Sequence, residues 1–325
     1  MTGIFRANNP LNTFLLFVYG LLLKSAWFIN PQIPIVQKSD GFLFNDILIF
    51  IKPTFDAWPI SYSIVSYLLI FTQAVSFNHY MNSRKLMQKN NYLPAMSYLL
   101  ITSLFIDWNL LSAPLVINTL LIWVWSRLTD LYKSQHVKST LFNVGLAIGI
   151  CSFFYFPSLA FILMVIFALL FTRAPKVAEW LMPIIGVFTT FYFLFSYLFL
   201  TNRLYRFSLP GFTIGYPPLT EKNIVYAIMG IVVLLTIVGL YYVKATSSKQ
   251  VVQVRKSWTL LLLYLIVAII IPFINTSPNF AYWIIAVVPA SAFVASAFFY
   301  PRIRWIPMVL HWVLVAFVIY MQYFK

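Results

Sequence analysis

The 325-residue chain has one cysteine, three histidines and seven acidic residues. A single cysteine, Cys151, excludes an intramolecular disulfide. The histidines His79, His136 and His311 stand far apart with no metal-ligand spacing, so a four-histidine metal centre is excluded. No P-loop, GxGxxG, HExxH or GxSxG pattern occurs. Charged residues of both signs make up 9% of the chain, against roughly 25% in a soluble domain. That scarcity excludes the soluble globular class.

What is present is apolar. The composition is 62% hydrophobic and 19% aromatic, with a mean hydropathy of +0.86. Such a chain has lipid as the solvent for its surface. The reading is one all-α integral-membrane domain over residues 1–325, a polytopic transmembrane helical bundle of about 11 spans. The apolar runs are about 11–29, 59–81, 92–106, 114–128, 142–156, 157–172, 178–200, 223–243, 258–275, 279–299 and 305–323. Several fall short of the ~20 residues a straight span needs. The pairs 92–106 with 114–128, and 142–156 with 157–172, therefore read as tight helical hairpins. No A-x-A site follows the first run, so it reads as a span and not as a cleaved signal. The aromatic residues read as lipid-facing belts and core.

The net charge is +15. In a membrane chain basic residues collect on cytoplasmic connectors, so this charge does not signal nucleic acid. With the N-terminus inside, the inner connectors carry fifteen basic residues, in clusters around Arg84–Lys89, Arg127–Lys138, Arg173–Lys176 and Lys244–Lys256, with Arg6 and Arg302–Arg304. Six fall outside: Lys38, Lys52, Arg203, Arg206, Lys222 and Lys325. Of the acids, Asp40, Asp46, Asp56, Asp107 and Glu221 fall outside, and only Asp130 and Glu179 inside. The expected topology has a cytoplasmic N-terminus and a C-terminus on the opposite face.

The outer face then carries three polar features. The first is the loop 30–58, whose apolar stretch Phe42–Ile51 reads as a short helix lying in the membrane interface. The second is the turn Asp107-Trp108-Asn109, and the third the loop 201–222. Asp40 has two readings, a cap for the helix at 42 or a carboxylate that works as a general base or holds a divalent cation. Asp46 is a second candidate in the same loop. Asp107 is either a solvated turn residue beside an interfacial tryptophan or a second acid facing the same cavity. Arg203 and Arg206 either snorkel to headgroups or clamp a lipid phosphate. Lys24, near the outer end of the first span, either snorkels or lines a cavity, where it joins Arg203 and Arg206 as a lipid-phosphate-binding candidate.

The run Pro114–Leu128, the connector TDLYKSQHVKST, the span FNVGLAIGICSFFYFPSLAFILMVIFALLF and the turn Arg173-Ala174-Pro175-Lys176 have a familiar layout. It resembles the membrane core of type-C glycosyltransferases, polytopic enzymes that take sugar from a polyprenyl-phosphate carrier. The N-terminal order of one span, a long outer loop with an acidic residue and an interfacial helix resembles them too. From FRANNPLNTFLLF through NYLPAMSYLL the chain also looks like an uncharacterised integral-membrane family of Bacteroidota. The likeness implies a multi-pass protein of the bacterial inner membrane, with membrane lipid as its surroundings and a polyprenyl-phosphate donor as its partner. It implies Asp40, and less well Asp46, as the catalytic carboxylate of the first outer loop. Where that family often has adjacent acids, this chain has Asp40-Gly41, and the family's large C-terminal soluble domain is absent. The competing class is a non-enzymatic component, either a lipid-linked-glycan transporter or a scaffold of an envelope machine. A transporter is expected to show matching halves, and no internal repeat is visible.

Overall fold

The computed structural model describes residues 2–37, 39–132, 135–172, 176–206, 213–216, 223–274, 280–303 and 305–323. Among them there is no strand, and the two isolated bridges join Asp40 to Tyr155 and Ile214 to Ile274. The α-helices are α1 Thr2–Arg6, α2 Leu11–Leu23, α3 Ser25–Ile29, α4 Phe42–Phe55, α5 Ile60–Ser83, α6 Leu93–Ser103, α7 Ala113–Asp130 and α8 Val137–Phe154. They continue with α9 Ile162–Thr172, α10 Val177–Leu200, α11 Asn223–Ser247, α12 Val252–Ile270, α13 Val287–Phe299 and α14 Trp305–Tyr323. Three-ten turns at Ile106–Asn109, Phe156–Phe161 and Phe280–Ala286 join or extend them. Each expected apolar run is helical. Among the described residues seven helical stretches are long and apolar enough to cross a membrane, while Leu11–Leu23, Leu93–Ser103 and Phe156–Phe171 are apolar but shorter.

Two breaks interrupt the apolar helices. The first run splits at Lys24, whose backbone (φ −113°, ψ 14°) ends α2 before α3 begins. Helix α8 stops where Tyr155 turns extended (φ −149°, ψ 103°) and Pro157 opens the next turn. Proline lacks the N–H that would continue α8 and restricts the residue before it.

Hydrogen bonds fix which ends meet. Tyr92, before α6, donates its N–H to the Phe5 carbonyl, and Arg6 donates to the Phe299 carbonyl at the end of α13. Gln322, near the end of α14, donates to the carbonyls of Leu23 and Ser103, at the ends of α2 and α6. The first helix and the end of the last one therefore lie at opposite ends of the bundle.

Helices α6 and α13 pack against each other at its centre, and every residue of both is buried. Both helices carry small buried residues, Ser97 on α6 and Ser291, Ala292, Ala295 and Ser296 on α13. In lipid, close packing of this kind replaces the hydrophobic effect as the force between helices. The GLAIG stretch does the same between α8 and α10. A Cβ on Gly145 would overlap the Pro183 carbonyl, and one on Gly149 would collide with Thr190.

Helix α4 runs one turn past the expected 42–51, through Pro53. At 14 residues it is about 21 Å long, too short for a ~30 Å hydrocarbon layer. Phe44 and Leu48 face inward, while Ile49 and Phe50 stand exposed, Phe50 at 84%. An apolar outer face on a helix this short fits lipid contact along its length.

Candidate functional site

The acidic end of the bundle holds a cavity of about 240 Å³. Its polar lining is Gln32, Gln37, Asp40, Asp107, Ser112 and Tyr282, and Phe44, Leu110 and Ala281 are among its apolar walls. Two of the three expected carboxylates, Asp40 and Asp107, thus share one cavity. Asp46 does not join them; it lies on the exposed face of α4.

The backbone around Asp40 is irregular because of its sequence. Pro31 and Pro34 keep residues 31–37 out of helix. Asp40 then pairs with Tyr155 in the isolated bridge, and the Gly41 N–H donates to the Phe154 carbonyl at 2.6 Å. Glycine is required at 41, because a Cβ would overlap the Phe153 carbonyl. This explains why no second acid follows Asp40: a side chain there would strike the end of α8.

The Asp40 carboxylate accepts from the Gln37 N–H at 2.9 Å and from the Tyr282 hydroxyl at 2.8 Å. The Tyr282 hydroxyl in turn accepts from Ser39 at 2.7 Å. The capping reading is therefore corrected. Gly41 is the N-cap of α4 and no side chain caps that helix. Burial pushes the Asp40 carboxyl above its usual range, opposed by the bonds from Gln37 and Tyr282, which favour the charged form.

Tyr282 was not expected from the sequence. It sits inside the apolar run 279–299, where a tyrosine reads as belt or core. Its ring stacks on Tyr155, centroids 4.8 Å apart, and Asn118 of α7 holds the same turn by donating to the Ile284 carbonyl. Asp107 reaches the cavity from the Ile106–Asn109 turn. Trp108 anchors that turn, donating to the Phe280 carbonyl at 3.1 Å and stacking on the Phe280 ring at 5.5 Å. Trp108 is 2% exposed, so it belongs to the core and not to an interfacial belt.

The expected phosphate contacts are not gathered here. Lys24 is 1% exposed. Its ammonium donates to Thr102 at 3.3 Å and to Asn109, enclosed between the α2–α3 break, α6 and the 106–109 turn. The side chain is thus buried among protein groups where the first apolar run splits. Arg203 is exposed just beyond α10 and is not part of the cavity wall. The Arg206 side chain lies outside the described residues. Among the described residues no three His, Cys, Asp or Glu side chains come together to hold a metal. The carboxylates that line the cavity are Asp40 and Asp107, and both oxygens of Asp40 already accept hydrogen bonds.

A family model matches residues 39–325. The chain belongs to that family, described as a family of unknown function (DUF6427). No curated protein and no solved structure matches the chain. The family segment contains Asp40, Asp107 and Tyr282 and leaves Lys24 outside.

Proposed function

We propose that the acidic-end cavity is the transfer site of a membrane glycosyltransferase that uses a polyprenyl-phosphate-linked donor. The observation that carries this reading is the meeting of Asp40 and Asp107, far apart in sequence, on one cavity at the edge of the bundle. The volume is just below the roughly 300–1,000 Å³ usual for small-molecule sites. It suits one sugar-sized group, with the lipid chain left outside. In this reading the glycosyl–phosphate bond breaks, polyprenyl phosphate leaves, and the acceptor oxygen bonds the sugar. Asp40 takes the acceptor's proton, and its raised proton affinity makes it a better base than an ordinary carboxylate. Asp107 orients acceptor hydroxyls, and Arg203, exposed just beyond α10 and outside the cavity wall, is the candidate for the donor phosphate. The charge split supports a cytoplasmic basic end and a periplasmic acidic end in an inner membrane, with the eleven apolar runs as its spans.

The Asp40 bonds also favour a second reading. They tie Asp40 to Gln37, to Tyr282 and, through the bridge with Tyr155, to the end of α8, a structural role that needs no reaction and fits a scaffold of an envelope machine. Proteoliposomes holding the full chain, a labelled polyprenyl-phosphate hexose and an envelope extract as acceptor separate the two. Label moving from lipid to a new product supports the transferase. A donor that stays intact through long incubation at high protein removes it in favour of the scaffold.

A further inference from the structure

At the opposite end of the bundle lies a larger cavity, of about 800 Å³. The charged residues of its wall are Arg84, Lys85, Arg127, Lys249 and a single acid, Asp130. Arg84 is consumed internally. It pairs with Asp130 at 2.7 Å and donates to the Ser126 carbonyl and hydroxyl at 2.8 and 2.9 Å. With that acid neutralised, Lys85, Arg127 and Lys249 are the uncompensated charges of the wall.

The cavity is built and held. Trp258 and Gln250 both donate to the Leu86 carbonyl, clamping the turn after α5 to α12. Asn82 and Asn91 close the same turn by exchanging two hydrogen bonds. Lys85 is the left-handed residue that ends α5, φ 52°, with the Leu86 N–H donating to the Met81 carbonyl across the turn. The N-terminus of α12 forms part of the wall through Val251, Gln253 and Val254, and no side chain caps it. An uncapped helix start presents backbone N–H groups and positive dipole to an anion. A general excess of basic residues on one face does not need a held concave wall, because such residues need only reach water.

We propose that this basic cavity is a binding site for a phosphoryl anion, held by Lys85, Arg127, Lys249 and the start of α12. The anion is either the headgroup of an acidic phospholipid or a soluble phosphate. The inference does not rest on the transferase reading, since it concerns the other end of the bundle.

The test uses the full chain in neutral phosphatidylcholine nanodiscs. One arm adds phosphatidylglycerol and follows lipid retention by native mass spectrometry. The other adds pyrophosphate and follows the shift of the thermal midpoint. The Lys85→Gln/Arg127→Gln/Lys249→Gln protein is compared with Lys89→Gln/Lys244→Gln/Arg255→Gln, which loses the same charge outside the cavity wall. We expect the first triple to bind at least about tenfold more weakly than wild type and the second to stay close to it. Retention of phosphatidylglycerol alone assigns the site to a lipid headgroup, and a pyrophosphate shift assigns it to a soluble phosphate. Equal losses in the two triples, or no binding of either probe by wild type, overturns the proposal.

Discussion

The two ends of the bundle build polar cavities by different means. At the acidic end the wall is irregular backbone: residues 31–37 with Asp40, and the turns at 106–109 and 280–286. A backbone N–H and a tyrosine hydroxyl fix its carboxylate. At the basic end the wall is made of helix termini, α5 and α7 at their ends and α12 at its start. Most of its charges sit on long side chains that reach water. The first arrangement holds one group tightly and raises its proton affinity. The second offers a concentrated, adaptable positive field. On the two readings proposed above, one chain would carry proton chemistry at one end of the bundle and anion recognition at the other.

The comparison breaks most sharply at Gly41. A Gly41→Ala side chain would meet the Phe153 carbonyl, and overpacking against backbone costs about 3 kcal/mol. Chemical denaturation in detergent should report that loss, together with loss of acidic-end activity, while anion retention at the basic end persists. A fully stable variant would show that α8 can move aside.

Next in size is Arg84→Gln, which strands Asp130 and the Ser126 carbonyl. Hydrogen bonds to charged groups contribute about 2 kcal/mol each at most sites, and Asp130 is half exposed, so a stability loss of about 2 kcal/mol is expected. Transfer activity at the far end should stay at the wild-type level. A parallel loss of both would mean that the ends are not independent.

Tyr282→Phe removes one neutral donor and should lower stability by about 1 kcal/mol. It also removes one of the two bonds that favour the Asp40 carboxylate, so the carboxyl should titrate at still higher pH. Infrared difference spectra of the carboxyl band, with Asp40→Asn as reference, read that shift directly. The smallest effect concerns stability against pH. Because burial raises the Asp40 pKa in the folded state, this residue's contribution is fully present below the ordinary carboxylate pKa. It is lost as pH rises through the raised folded value. Thermal midpoints of wild type should therefore gain slightly over Asp40→Asn on mild acidification, and parallel curves would count against a buried carboxylate.

Much of the fold was legible in the sequence because a membrane bundle is written in long apolar runs. Each run became a helix, and the break at Tyr155–Pro157 follows a local rule. The site was legible in part. Asp40 and Asp107 stand out as scarce acids at the ends of apolar runs, and charge clustering put both at one end. Tyr282 was not legible, because a tyrosine within a span carries no sign of the loop it will meet. Lys24 and Trp108 were hidden for the same reason. Their burial depends on how the first span splits and on which aromatic rings meet across the 106–109 and 280–286 turns. The basic cavity was present only as a charge excess. Its concave form comes from three helix ends that periodicity does not bring together.

The central claim is that Asp40 does chemistry and does not merely tie its loop in place. Asp40→Asn isolates that claim, because the hydroxyls of Tyr282 and Ser39 can rotate to reverse the bond chain and leave the Gln37 N–H satisfied. The decisive measurement is the single-turnover rate of hexose transfer from the polyprenyl-phosphate donor by wild type and by Asp40→Asn, at equal folded fraction. Loss of a general base predicts a rate about 10²- to 10⁴-fold lower in the variant, with thermal midpoints close together. Equal rates in the two proteins would contradict the account.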